Sequence, residues 1–106
     1  MEFPEQIRLK GLPLSWCGWN SFYEKTSMES DGCPVYHMNS YYLCCVIGII
    51  GVYIERKNGR WRLVRESEYR WGESAGLYKC GEIPQEDPFG DWATLDGSIT
   101  AEVVKC

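Results

Sequence analysis

Six cysteines and one histidine are the side chains of this 106-residue sequence best suited to nucleophilic chemistry or soft-metal binding. Their spacing decides how far that suitability goes. His37 is the single histidine, so every Cys–His pair and every His-bearing metal site must include it. A working Cys–His dyad needs the two groups in hydrogen-bond reach and a thiol poised toward thiolate. On a sheet, Cys44 or Cys45 is the partner nearest to hand, but nothing in the sequence forces the meeting. The simpler reading of His37 is a histidine at an exposed or strand-edge position near a turn. Zinc sites usually draw on paired C-x₂₋₄-C knuckles. Cys17, Cys33, Cys44, Cys45, Cys80 and Cys106 provide none, so no metal or other cofactor is expected. The carboxylate pairs Glu66/Glu68 and Glu86/Asp87 lie in polar segments and read as solvated surface. Gly48-Ile49-Ile50-Gly51 lacks the lysine and the helix of a phosphate loop and reads as a bend or bulge.

Aromatic side chains are the better candidates for contact with a ligand. Five tryptophans and seven tyrosines suit broad, half-buried sheet surfaces. One or two of the tryptophans belong to the core. Trp16 and Trp19, however, share a Gly- and Pro-containing loop, and Trp71 follows Tyr69 and Arg70 just before Gly72. Rings held on loops stack on sugars or on partner side chains. Trp16, Trp19, Tyr69 and Trp71 are therefore the candidate ligand-binding residues of a non-catalytic recognition module that contacts protein or glycan. Core packing is the competing role for each. Two other functions are open: a small enzyme with a reactive cysteine near His37, and weak nucleic-acid contact through the Arg-rich hairpin 56–65.

The charge balance bears on that last reading. Net charge is −4, and an acidic chain gains little from phosphates, which makes nucleic acid a poor partner. The stretch from Glu55 to Arg70 nevertheless holds Arg56, Lys57, Arg60, Arg62, Arg65 and Arg70 against Glu55, Glu66 and Glu68. Acids then dominate from Glu73 to Asp96. The N-terminal Met1 to Gln6 has neither a basic nor an apolar region, so no signal peptide is expected. Leu43 to Ile54, the longest apolar run, is too short to span a bilayer as a helix. The expected chain is intracellular, or trimmed from a secreted protein, and makes no membrane contact. An even cysteine count in a small domain invites a disulfide framework, yet thiols stay reduced without secretion. Cys44 and Cys45, adjacent on a strand, point to opposite faces and do not bond to each other.

These side chains need a scaffold, and the patterning is that of one all-β domain over residues 1–106. Ile7 and Leu9 alternate with Arg8 and Lys10 in a strand ended by Gly11 and Pro13. Strands follow at Ser21 to Thr26, at Pro34 to Met38 after the Asp31-Gly32 turn, and at the apolar Tyr41 to Ile47. Val52 to Lys57 and Arg60 to Arg65 flank Asn58-Gly59, a dipeptide suited to positive φ at both turn positions. That turn sets Lys57 against Arg60, Arg56 against Trp61, Glu55 against Arg62 and Ile54 against Leu63. Val52, Ile54, Trp61 and Leu63 then share a buried face, Glu55 and Arg62 an exposed one, and Arg56 can lie over Trp61 as a cation–π pair. Weaker strands fall at Gly76 to Cys80, Asp91 to Leu95 and Ser98 to Val104, the last two about Asp96-Gly97. No sustained helical period appears. About eight or nine short strands with a turn every ten residues or so make an antiparallel sandwich or barrel. Unpaired sheet edges would leave either a monomer or an edge-paired dimer.

The motif order also resembles a known module. Ile7-x-Leu9-x-Gly11 is followed by Asn20-Ser21-Phe22-Tyr23-Glu24-Lys25, Gly32-Cys33-Pro34-Val35-Tyr36 and Tyr41-Tyr42-Leu43. Later come Val52-x-Ile54, Pro88-x-x-x-Trp92 and the alternation of Ile99, Ala101 and Val103. This is similar to a small β-module, often in tandem, in large proteins of marine invertebrates, algae and other protists. Asn20-Ser21 replaces the Asn-Gly of that pattern, and a tryptophan expected after the central strand is missing around Val52. The resemblance implies an all-β fold and a binding or adhesion unit without enzymatic activity.

Overall fold

The Asn58-Gly59 hairpin forms in the register its sequence dictates. In the computed structural model, which describes residues 2–14, 19–38, 51–65 and 73–106, β4 (Val52–Lys57) and β5 (Arg60–Arg65) pair with Lys57 facing Arg60, Arg56 facing Trp61, Glu55 facing Arg62 and Ile54 facing Leu63. Asn58 and Gly59 both have positive φ, 53° and 81°. This backbone twist matches that of the flanking strands. Val52, Ile54, Trp61 and Leu63 are completely buried. The outer Glu55–Arg62 pair is closer than expected: Nε and a terminal nitrogen of Arg62 both donate to Glu55 Oε1, at 2.9 and 2.6 Å. Its side chains are only 18% and 17% exposed, so the pair is half-buried rather than solvated. Arg56 does not settle over Trp61. Its guanidinium instead donates to the Asp31 carbonyl and the Cys33 Sγ.

Six further strands complete the architecture: β1 (Gln6–Lys10), β2 (Ser21–Ser30), β3 (Cys33–Met38), β6 (Glu73–Lys79), β7 (Gly90–Thr94) and β8 (Thr100–Lys105). Each strand pairs antiparallel with the next in sequence, and β8 returns to β1, closing an eight-stranded barrel. Closure decides between the barrel and the sandwich and leaves no open edge among the described strands. The strand expected at Tyr41 to Ile47 lies outside the described residues; the ring closes directly from β3 to β4, with Met38 facing Val52.

Two irregularities shape the ring. In β2 the register shifts between Lys25 and Glu29, where Thr26, Ser27 and Met28 stand opposite Val35 alone. The Thr26 hydroxyl fills the broken ladder, donating to Val35 O at 2.7 Å and accepting from Met28 N at 3.2 Å. A matching shift between β5 and β6 sets Arg62 opposite Tyr78 but Val64 opposite Ser74. The extra residues there include Gly76, whose φ of +89° suits a bulge.

Inward-facing side chains fill the barrel. Ile7, Leu9, Tyr23, Tyr36, Ile54, Leu63, Leu77, Trp61 and Trp92 are wholly buried in one cluster, with Phe3, Trp19, Phe89 and Ile99 packed against it. The polar tips of the large aromatics reach backbone carbonyls: Tyr23 OH donates to Trp19 O, Tyr36 OH to Pro4 O and Trp92 Nε1 to Pro88 O. Burial, aided by nearby Glu5, pushes the Tyr36 phenol up to about 12, and burial alone raises Tyr23 further.

One end of the barrel is tied by its turns. The Asp31 carboxylate accepts from Gly59 N at 2.7 Å, and Ser30 Oγ donates to Arg56 O. From the other side, Gln85 N donates to Gly59 O. Gly59 is doubly required here. Its φ is left-handed, and a Cβ would come within 2.6 Å of Ile83 Cγ2. At the Asp96-Gly97 turn, Asp96 Oδ1 accepts from Thr94 Oγ1, Ser98 N and Ser98 Oγ. Those bonds, the Thr94 hydroxyl first, lower the Asp96 pKa from 3.8 to about 2. A carboxylate lowered on folding contributes stability above its unfolded pKa and loses it as pH falls toward the folded value. Denaturation between pH 5 and pH 2 is expected to show a steeper loss in the wild type than in Asp96→Asn; parallel profiles would contradict the turn's role.

Candidate functional site

The described inward-facing side chains pack into one buried cluster, which leaves the barrel's ends and outer face as its exposed surfaces. Of the four expected ligand-binding residues, Trp19 is described. It is half-buried and packed against the core, and its carbonyl accepts the Tyr23 hydroxyl at 2.9 Å. Trp16, Tyr69 and Trp71 lie outside the described residues, as do Cys17, Cys44 and Cys45.

His37 is not at a strand edge. It sits within β3 between Glu24 of β2 and Tyr53 of β4, half-buried and stacked on the Tyr53 ring at 4.5 Å. Cys33, on the same strand, is four residues away, roughly 13 Å at about 3.3 Å per residue. That is far beyond hydrogen-bond reach, and the Cys33 thiol is buried beside the Arg56 guanidinium. A Cys33–His37 dyad is thereby excluded. Cys33, Cys80 and Cys106 are free thiols, the last two exposed. Among the described residues no three His, Cys, Asp or Glu side chains gather at a metal-sized site.

The chemically distinctive surface lies on the outer side of the β4–β5 hairpin, where Lys57, Asn58, Arg60, Arg62, Tyr78 and Ile83 line an open concavity. Strand parity puts Lys57, Arg60 and Arg62 outside because Ile54, Trp61 and Leu63 are inside. The β5–β6 register then sets Tyr78 directly beside Arg62. The Arg60 guanidinium carbon lies 5.6 Å from the centre of the Tyr78 ring, a cation–π contact. Glu55 neutralises Arg62, which leaves Lys57 and Arg60 as the charge of the concavity. Ile83, 50% exposed, supplies an apolar rim. Sequence reasoning placed the three cations through the turn but did not find Tyr78 or Ile83. Tyr78 arrives through the bulge at Gly76, and Ile83 through the loop that Gln85 fastens to Gly59.

Elsewhere on the outer surface of the described strands, Lys10 pairs with Glu102 and Lys25 with Glu5. No helix among the described residues is long and apolar enough to cross a membrane. No family model matches the chain, and no curated protein or solved structure is significantly similar to it.

Proposed function

We propose that the chain is a non-catalytic recognition module that contacts a protein or a glycan through its aromatic-bearing loops, with Trp16, Trp19, Tyr69 and Trp71 as the contact residues. The observation that carries this reading is the filled interior. Trp61, Trp92, Tyr23 and Tyr36 occupy the space in which other eight-stranded barrels hold a small ligand. With the interior closed, selectivity falls to the ends and the outer face, where loop residues change without disturbing the core. The resemblance of the motif order to β-modules with the character of binding units supports the same reading.

Binding to panels of immobilised glycans and of extracellular and intracellular proteins tests it. Trp16→Ala and Trp71→Ala are expected to weaken a captured ligand while leaving the thermal midpoint unchanged. Each stacking ring removed is expected to lower affinity by about tenfold. Binding that both variants retain in full would move the contact elsewhere.

A further inference from the structure

We infer that the outer concavity of the β4–β5 hairpin recognises a sulfate or phosphate ester carried on a saccharide. The inference rests on the surface-recognition reading and gives it a ligand chemistry.

Arg60 is the starting point. Arg56, Arg62, Lys10, Lys25 and Lys79 each have a carboxylate partner. Arg60 has none among the described residues. Its guanidinium is held by the Tyr78 ring, and its buried Nε finds no acceptor. A guanidinium oriented by a ring and lacking an anion is set to accept one, because its planar donors match a tetrahedral oxyanion in pairs. Arg8 and Lys105 also lie over rings, those of Phe22 and Phe89. Lys105 also lines a concavity with a second cation, Lys25, but Lys25 is paired with Glu5 and the carboxylates Glu2, Glu5 and Glu29 line that surface too. Arg60 differs in lining a concavity without carboxylates, beside Lys57, whose side chain is exposed.

The remaining lining residues suit a sugar better than a bare ion. Asn58, exposed at the turn, offers both a donor and an acceptor to hydroxyls. Ile83 and the Tyr78 ring edge give apolar contact of the kind the faces of a pyranose make. The pair Arg62–Glu55 is a fixed wall, its two short bonds preventing either group from turning to the ligand. Two free cations on a chain of net charge −4 suit a single ester group and not a polyphosphate backbone, whose long-range repulsion would be felt along the whole strand.

The test is a titration of the isotope-labelled chain, followed by backbone amide shifts. The probes are a sulfated disaccharide, its desulfated analogue, a sugar monophosphate, inorganic sulfate, inorganic phosphate and a single-stranded oligonucleotide. The ester-bearing sugars are expected to shift the amides of Lys57, Asn58, Arg60 and Tyr78. The preference between sulfate and phosphate identifies the source of the ester. Arg60→Gln should weaken binding by about tenfold or more, Lys57→Gln should weaken it less, and Lys10→Gln should leave it unchanged. Equal binding of the desulfated sugar, unchanged affinity in Arg60→Gln, or preference for the oligonucleotide would each overturn the inference. So would equally tight binding of the inorganic ions, since the sugar would then play no part. Sugar binding lost in Trp16→Ala but kept in Arg60→Gln would overturn this site and leave the loop reading standing. Failure of every sugar and every protein panel would overturn both.

Discussion

Replacing Trp92 with alanine is expected to destabilise the barrel by about 3–5 kcal/mol, the range for removing a large buried aromatic. Trp92 is wholly buried on β7, opposite Ala101 of β8. Its Nε1 donates to Pro88 O at 2.7 Å, joining the strand to the loop before it. Truncation removes the ring from the core and leaves a buried carbonyl without its donor. Trp61 is equally buried, but its Nε1 has no hydrogen-bond partner among the described residues. The two tryptophans therefore make an internal comparison. Trp92→Phe loses area and a hydrogen bond, whereas Trp61→Phe loses area and relieves an unsatisfied donor. Trp92→Phe is expected to be the more destabilising by about 1 kcal/mol or more. Urea denaturation of the three variants measures this. Equal losses for the two phenylalanine variants would remove the Pro88 bond from the account.

The second large effect is expected at Gln85. This residue is the one buried polar side chain among the described residues. Its Oε1 accepts from Trp61 N at 2.9 Å, its Nε2 donates to Lys79 O at 3.0 Å, and its own N donates to Gly59 O at 2.7 Å. The side-chain amide thus stands in for a missing ladder rung at the end of β5 and β6. Gln85→Leu keeps the volume and deletes both side-chain bonds, leaving a buried N–H and a part-buried carbonyl unpaired. At about 1–3 kcal/mol for the buried N–H and about 1 kcal/mol for the part-buried carbonyl, the loss is expected to be about 2–4 kcal/mol. For a domain of this size that corresponds to a fall in thermal midpoint of roughly 10–25 °C. Gln85→Glu keeps one acceptor and loses the donor, and so should fall between wild type and Gln85→Leu. A wild-type midpoint for Gln85→Leu would mean that the loop is not fastened as described.

Gln85 also shows where sequence reading stops. It sits among Pro84, Glu86, Asp87 and Pro88, a composition that reads as solvated loop, and no periodicity marks one polar side chain there as buried. The hairpin is the opposite case. Asn58-Gly59 and the alternation on both sides of the ribbon specify the same register, so turn chemistry and burial agree residue by residue. Strand β2 lies between the two. Ser21 to Thr26 reads as a strand, but the structure continues it to Ser30. The period of two fails at Thr26, Ser27 and Met28, where a hydroxyl replaces the ladder. Closure of the ring depends on Ile7 meeting Lys105 and Leu9 meeting Val103. That contact spans nearly the whole chain, and no local pattern encodes it, so barrel and sandwich were equally compatible with the sequence. At the candidate site the cations of the hairpin were legible through parity. Tyr78 was not, because a two-residue register shift on the neighbouring strand puts it there.

The central claim is that recognition belongs to the exterior of a barrel whose interior is already full. Collisional quenching of tryptophan fluorescence by acrylamide tests it most directly. The account predicts two populations: Trp61 and Trp92 shielded in the core, and Trp16 and Trp71 accessible, with Trp19 between them. Trp61→Phe and Trp92→Phe should each remove part of the shielded emission alone. Uniform shielding of all five tryptophans would contradict the exposed aromatic loops, and ready quenching of all five would contradict the filled interior.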